Sequence, residues 1–218
     1  MFPYIVYDNF FEDPDLVVDF ANSLEYRMGD GSWPGVRTND IGHYDYDFKK
    51  LVIDKICRLF YPDSDYQWYV KTVFQKVEGM HEDKYHIKNR GWIHKDTTRI
   101  LGGIIYLDKN PEKDTGTSIY KKRKIAIPYT PEKDACKRKW YTGQDVSDEE
   151  YEKYFDSTSE NYEEVLKVEN VYNRLFMFTG HSHHGVHTYG SVGNTRLTLP
   201  FFFTSIHHPT FNFPTFRE

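Results

Sequence analysis

Two short segments about ninety residues apart carry side chains suited to holding a metal: Gly91-Trp92-Ile93-His94-Lys95-Asp96, and His184-Gly185-Val186-His187 followed by Arg196-Leu197-Thr198-Leu199. A strand carrying His94-x-Asp96 projects both side chains from one face, because side chains alternate with period two along a strand. One more imidazole from a distant strand completes two histidines and one carboxylate on one side of a metal. The other coordination positions stay open, an arrangement suited to non-haem Fe(II) and oxygen chemistry. The distal imidazole would come from the cluster His181, His183, His184 and His187.

Several elements must position these groups. Ile5 to Tyr7 reads as a short strand, and Asp13-Pro14 opens a helix with Asp at the N-cap and Pro at the first helical position. Leu16, Val17, Phe20, Ala21 and Leu24 recur at helical spacing, so one face should pack inward. A second amphipathic helix is expected after Asp47, with Phe48, Leu51, Val52, Ile56, Leu59 and Phe60 on its buried stripe. From Gln67 onward the pattern changes to β-rich runs between turn residues: Trp68 to Val77, Thr98 to Leu107, Ser118 to Ile127, Arg174 to Phe178, His184 to Tyr189 and Arg196 to Phe203.

Thr130 to Glu169 is rich in Lys, Asp, Glu, Ser and Tyr and reads as a charged insertion, either a solvated excursion or a lid over the site. It carries a helix near Ser147 to Phe155, where Ser147 and Glu150 have the form of a capping box. The expected organisation is one domain over 1–218, with a helical N-terminal support over 1–66 and a β-core over 67–218 interrupted at about 130–169.

The chain has 218 residues, 39% hydrophobic and 17% aromatic, enough for one sizeable core. A formal charge of −5 argues against nucleic acid as the main partner, and the run Lys121-Lys122-Arg123-Lys124 reads as a solvated edge. Cys57 and Cys136 lack metal-type spacing and suit a reducing compartment, which Fe(II) chemistry also needs. With no basic n-region and long apolar h-region at the start, and no stretch able to span a bilayer, a soluble cytoplasmic protein is expected.

The ordered set His94-x-Asp96, Tyr106-Leu107-Asp108, His184-Gly185-Val186 and Arg196 resembles the 2-oxoglutarate- and Fe(II)-dependent dioxygenases. The likeness is to their prolyl-hydroxylase-like branch and the related small hydroxylases of phage and bacteria, from about Gln75 to Phe203. The opening Asp8-Asn9-Phe10-Phe11 is also similar to some members. The resemblance implies a mainly β fold, a double-stranded β-helix of jelly-roll, cupin-like type with helices packed outside. It implies Fe(II) held by His94, Asp96 and His184, 2-oxoglutarate as cosubstrate with Arg196 clamping its far carboxylate and Tyr106 donating to it, O2 as oxidant, and ascorbate as a candidate reductant. His184 carries the His-x-Val form, and Gly190 to Asn194 can supply the turn that restores register with Arg196. His187 stands nine positions before Arg196, a spacing also found in relatives, although alternation should turn it to the opposite face unless a bulge intervenes.

The implied reaction couples oxidative decarboxylation of 2-oxoglutarate to hydroxylation of an unactivated C–H bond. A peptidyl proline or other amino-acid side chain is the first candidate substrate and a small metabolite the second; nucleobase dealkylation is disfavoured by the acidic balance. The competing classes are a non-catalytic cupin-like metal-binding module and a phage interaction protein on the same barrel. Other residues carry bland expectations: His43, His81 and His86 as loop histidines, His207 and His208 as surface residues beyond the last strand. Trp33-Pro34-Gly35-Val36-Arg37-Thr38, an aromatic and basic turn, is read as structural before substrate-contacting.

Overall fold

The computed structural model describes residues 4–60, 66–123, 127–156 and 160–209. In chain order its elements are β1 (Tyr4–Tyr7), α1 (Pro14–Ser23), β2 (Arg27–Met28), β3 (Val36–Arg37), α2 (Tyr46–Cys57), β4 (Gln67–Thr72), β5 (Gln75–Glu78), β6 (Leu101–Tyr106), β7 (Thr117–Lys122), α3 (Pro131–Tyr141), α4 (Asp148–Tyr154), β8 (Tyr162–Val168), β9 (Leu175–Thr179), β10 (His183–Val186) and β11 (Thr195–His207).

All strand pairs are antiparallel. The larger sheet runs β1-β9-β6-β11-β5-β3-β2, with β4 also paired to β11, and the smaller runs β10-β7-β8. These two sheets form the jelly roll. Strand parity decides what each side covers. Leu197, Leu199, Phe201 and Phe203 of β11, with Leu101 and Ile105 of β6 and Leu175 and Met177 of β9, join one core with Val17, Val18 and Ala21 of α1 and Val52, Ile53 and Ile56 of α2. The alternate residues Tyr106, Phe176 and Phe178 turn to the other side and pack with Ile119 and Val168 of the smaller sheet. Arg196 and Thr198 share that inner parity on β11, so the helices brace the outside of the larger sheet and leave its inner face for chemistry.

Local signals explain the helices. Asp13 accepts from the Leu16 amide at 3.3 Å, with Pro14 opening α1. Asp45, two positions before the expected start, caps α2 through the Phe48 amide at 2.8 Å. The buried stripes are narrower than the apolar spacing suggested: Leu16 is 65% and Leu51 60% exposed. Each precedes a buried Val by one residue, a rotation of about 100° that carries it off the packed face.

The run Trp68 to Val77 is divided into β4 and β5, both paired to the same side of β11. The gap at Val73 and Phe74 falls beside Pro200, which has no amide to give; the Val73 amide donates to the Pro200 carbonyl, and Phe74 donates to Thr38 instead. The segment 1–66 holds three short strands besides its helices, and β1 pairs with β9. Behind β1, Phe10 is fully buried and Asn173 bridges both the Phe11 amide and carbonyl. Ser118 to Lys122 lies in β7 as expected, while Lys124 to Ala126 fall outside the described residues.

The described residues of 130–169 form regular elements rather than a simple excursion. It supplies α3, capped by Thr130, α4, capped by Ser147, and β8, which pairs with β7. Cys136, Trp140, Tyr151 and Phe155 bury a second apolar cluster against Val77, Trp92 and Tyr189. Both cysteines are free and buried.

Candidate metal centre

His94, Asp96 and His184 converge. One ligand atom from each lies within 4.8 Å of the others. The His94 Nε2–Asp96 Oδ1 distance is 3.8 Å and the His184 Nε2–Asp96 Oδ2 distance 3.6 Å. The route differs from a His-x-Asp strand. His94 makes only an isolated antiparallel bridge to His184, their amides and carbonyls exchanged at 3.0 and 2.9 Å. The chain then turns, and the Asp96 amide donates to the Gly180 carbonyl at 2.8 Å. Two glycines allow these approaches: a Cβ on Gly91 would stand 2.7 Å from the Val186 nitrogen, and one on Gly180 would stand 2.0 Å from the Arg99 carbonyl oxygen.

Backbone carbonyls orient both rings. His94 Nδ1 lies 2.8 Å from the Trp92 carbonyl and His184 Nδ1 2.9 Å from that of Ser182. With the proton on Nδ1 to make these bonds, each Nε2 lone pair faces Asp96, the tautomer that metal coordination needs. Burial lowers the His184 pKa well below that of a free imidazole, and the protein packed around His94 lowers its pKa against the opposing pull of Asp96, although part of that side chain reaches solvent at the cavity mouth. The neutral form is therefore favoured. Asp96 Oδ2 is buried without a hydrogen-bond partner among the described residues.

The neighbouring histidines lie elsewhere. His187 Nδ1 is 3.7 Å from Glu164 of β8, and His183 packs on Tyr162 with ring centroids 5.5 Å apart. His181 belongs to the turn after β9, its amide donating to Thr179 Oγ1.

Arg196 opens the inner face of β11, 4% exposed, with Nε donating to the Thr115 carbonyl at 2.9 Å. Its guanidinium lies 5.4 Å from the Tyr106 ring centroid, while Nη2 is buried and unpartnered among the described residues. Tyr106 is opposite Thr198 in the β6–β11 register; its buried hydroxyl faces Thr117, and the buried Thr198 hydroxyl has no hydrogen bond among the described residues. Burial raises the Tyr106 pKa, so its hydroxyl keeps its proton and can donate. Asp108 accepts from the Leu197 amide at 2.6 Å and from Asn170 at 2.6 Å; Asn170 also donates to Thr115, whose carbonyl holds Arg196.

One cavity of about 360 Å³ is lined by His94, Asp96, His184, Thr117 and Arg196. Buried donors without partners are uncommon in native proteins and ask for a ligand. A divalent metal suits the two Nε2 atoms with Asp96, and a dicarboxylate suits the Arg196 guanidinium with the surrounding hydroxyls. The residues present thus fit both groups.

A family model matches residues 2–203. The chain belongs to DUF6445, a family of unknown function. No curated protein matches it in sequence. Solved structures similar to this DUF6445 chain share its fold at low identity. HygX from Streptomyces hygroscopicus, with nickel, 2-oxoglutarate and hygromycin B bound, gives a TM-score of 0.56 at 13% identity, covering 96% of this chain and 84% of that one. The epimerase SnoN, in complex with Fe3+, alpha-ketoglutarate and nogalamycin RO, gives 0.55 at 11% identity over 99% and 89%. A prolyl hydroxylase from Trichoplax adhaerens, in complex with a hypoxia inducible factor oxygen degradation domain peptide fragment, gives 0.52 at 12% identity over 92% and 83%. The DUF6445 chain is therefore built on the double-stranded β-helix of those proteins.

Sequence reasoning missed part of this DUF6445 site. Thr117 and Thr198 line the inner face without belonging to any motif, and Thr115 and Asn170 act by holding Arg196. Val36–Arg37, read as part of a turn, is a strand whose arginine reaches the cavity, and α3 brings Lys137 and Tyr141 to the same wall. The Thr130-Pro131 pair was a readable helix start for α3. Among the described residues, no helix is long and apolar enough to cross a membrane.

Proposed function

We propose that this chain is an Fe(II)- and 2-oxoglutarate-dependent dioxygenase that hydroxylates an unactivated C–H bond of an amino-acid side chain or small metabolite. One observation carries the reading: His94, Asp96 and His184 meet in the same cavity as the buried, uncommitted Nη2 of Arg196. The fold shared with HygX and SnoN, whose structures hold a metal and 2-oxoglutarate, supports it.

In this reading His94, Asp96 and His184 hold the metal, and Arg196 with Tyr106 receives the far carboxylate of 2-oxoglutarate. Together the bound metal and cosubstrate supply oxygen activation. The chain's own residues do the rest. The carbonyls of Trp92 and Ser182 keep the imidazoles turned toward Asp96. Arg196 meets a carboxylate with a charge-assisted donor at the buried end of the cavity, where such bonds are strong. His184 and Arg196 are nearly inaccessible, whereas the His94 side chain is 44% exposed, so the cavity opens to solvent on the His94 side. Substrate enters there.

The test is binding followed by turnover. Wild-type protein should bind Mn(II) and then 2-oxoglutarate in titration calorimetry, and should release succinate from 2-oxoglutarate with Fe(II) and oxygen. Asp96→Ala should lose metal binding and succinate release. Retention of both by Asp96→Ala, or failure of the wild type to bind metal and 2-oxoglutarate, would overturn the assignment.

A further inference from the structure

The metal cavity is strongly cationic in a chain of net charge −5. Arg37, Lys71, Arg99, Lys137 and Arg196 line it, against the single carboxylate of Asp96. Arg196 is accounted for by the cosubstrate. The other four form no ion pair among the described residues, whereas nearby Lys88 pairs with Asp148 and Lys139 with Glu150.

Arg37 is the most committed of them. Its Nη2 donates to the neutral Gln75 Oε1 at 3.1 Å, its guanidinium lies 4.7 Å from the Trp33 ring centroid and 5.6 Å from that of Phe202, and its Nε is buried without a partner among the described residues. Lys71 approaches the same indole, at 5.5 Å. Two cations gathered at one ring repel each other, and a nearby anion relieves that repulsion. Burial lowers the Arg37 pKa to about 10, opposed by the field of Asp96 and two tyrosines, so the guanidinium is desolvated and still charged at neutral pH. From the opposite wall, α3 places Lys137 5.2 Å from the ring centroid of Tyr141. Phe202 lies six positions beyond Arg196 on the same face of β11, so Arg37 and Arg196 mark different ends of the cavity.

The geometry points to Arg37 as the anchor of a second anion site: the oxygenase substrate carries an oxyanion, a carboxylate or phosphate, held by Arg37 with Lys71 and Lys137 while aromatic walls cover its apolar part. This rests on the proposed oxygenase reading, and the two can fail separately.

Benzoate, phenyl phosphate and neutral phenol serve as probes, titrated into Mn(II)-loaded protein saturated with 2-oxoglutarate and into metal-free protein. Both anions should bind at least tenfold more tightly than phenol, and the tighter of the two identifies the oxyanion. Arg37→Gln should weaken them tenfold or more while 2-oxoglutarate affinity stays within twofold. Arg37→Lys, which keeps the charge and loses the fork, should weaken them less and serves if the Gln variant unfolds. Anion binding no tighter than that of phenol, or unchanged in both variants, overturns the second site. A selective fall of 2-oxoglutarate affinity in Arg37→Gln would instead make Arg37 the cosubstrate clamp. If Mn(II) and 2-oxoglutarate fail to bind, the oxygenase reading falls, while the metal-free titration still reports on the anion site.

Discussion

Replacing Arg196 by Gln separates cosubstrate binding from metal binding. The guanidinium is almost fully buried, tethered by the Thr115 carbonyl through Nε, and leaves Nη2 uncommitted in the cavity wall. A carboxylate seated against it is a desolvated, hydrogen-bonded charge pair, and removing one partner of such a pair costs about 2–5 kcal/mol. At about 1.4 kcal/mol per decade, the 2-oxoglutarate dissociation constant should rise roughly 30- to 4,000-fold. The lower part of that range is expected, because the Tyr106, Thr117 and Thr198 hydroxyls remain as donors. Arg196 is not among the metal-facing groups, so Mn(II) affinity should stay within about twofold.

The same substitution has a stability cost. The Thr115 carbonyl loses a charged donor in a buried setting, a change of about 1–3 kcal/mol. Denaturant unfolding therefore accompanies the calorimetry, and titrations are compared only where the variant is folded. Arg196→Lys restores charge without the fork and should recover part of the lost affinity. Two results would refute the reasoning: unchanged 2-oxoglutarate affinity in a folded Gln variant, or equal loss of metal and 2-oxoglutarate binding.

Further outcomes follow from the same geometry. His184→Ala should abolish Mn(II) binding, while His187→Ala, which removes a ring facing Glu164, should leave it within a few-fold; equal losses would move the distal ligand. The metal-free protein should lose stability as pH falls. Burial depresses the imidazole pKa values of His94, His183 and His184, that of His183 to about 4, so below the ordinary value of about 6.5 the unfolded chain takes up protons that the folded one refuses. Urea unfolding should show full stability above pH 6.5 and a decline toward pH 4; a flat profile would contradict the shifts. Trp140→Ala should destabilise by about 3–5 kcal/mol, since Trp140 is 2% exposed in the cluster between α3, α4 and Trp92. A cost below about 1 kcal/mol would mark that cluster as peripheral.

Which parts of this molecule could be read from its residues depends on the range of the deciding interactions. The caps at Asp13 and Ser147 are local, and their side chains accept amides three residues on, as the sequence pattern requires. The core strands β6, β9 and β11 announce themselves because both faces are buried and both must be apolar. The boundary of the β4–β5 break is not local. It is set by Pro200 on a partner strand more than a hundred residues away, and nothing within Trp68 to Val77 encodes it. Likewise β8 reads as polar because Glu163, Glu164 and Val165 are all exposed where its pairing with β7 shifts register, so its composition resembles that of a charged loop.

The candidate site shows the same division. His94, Asp96 and His184, which converge in the structure, could be picked out as candidates because chelation restricts ligands to a few residue types. His184 and His187 differ by three positions and so fall on opposite faces of a strand; the structure has His184 facing Asp96 and His187 facing Glu164. A binding pocket for an unknown ligand has no such restricted alphabet. Arg37, Lys71 and Lys137 come from β3, β4 and α3, and each is an ordinary cation in its own segment. Their common meaning arises only when the sheet curls and α3 folds across it, leaving several positive charges in one cavity with Asp96 as the one carboxylate lining it among the described residues. Aspartate is itself drawn toward the metal in the proposed mechanism, which leaves those cations still uncompensated. In the proposed reading the balancing charge arrives with the substrate, and the selectivity of the candidate site would then be set by groups that a motif search passes over.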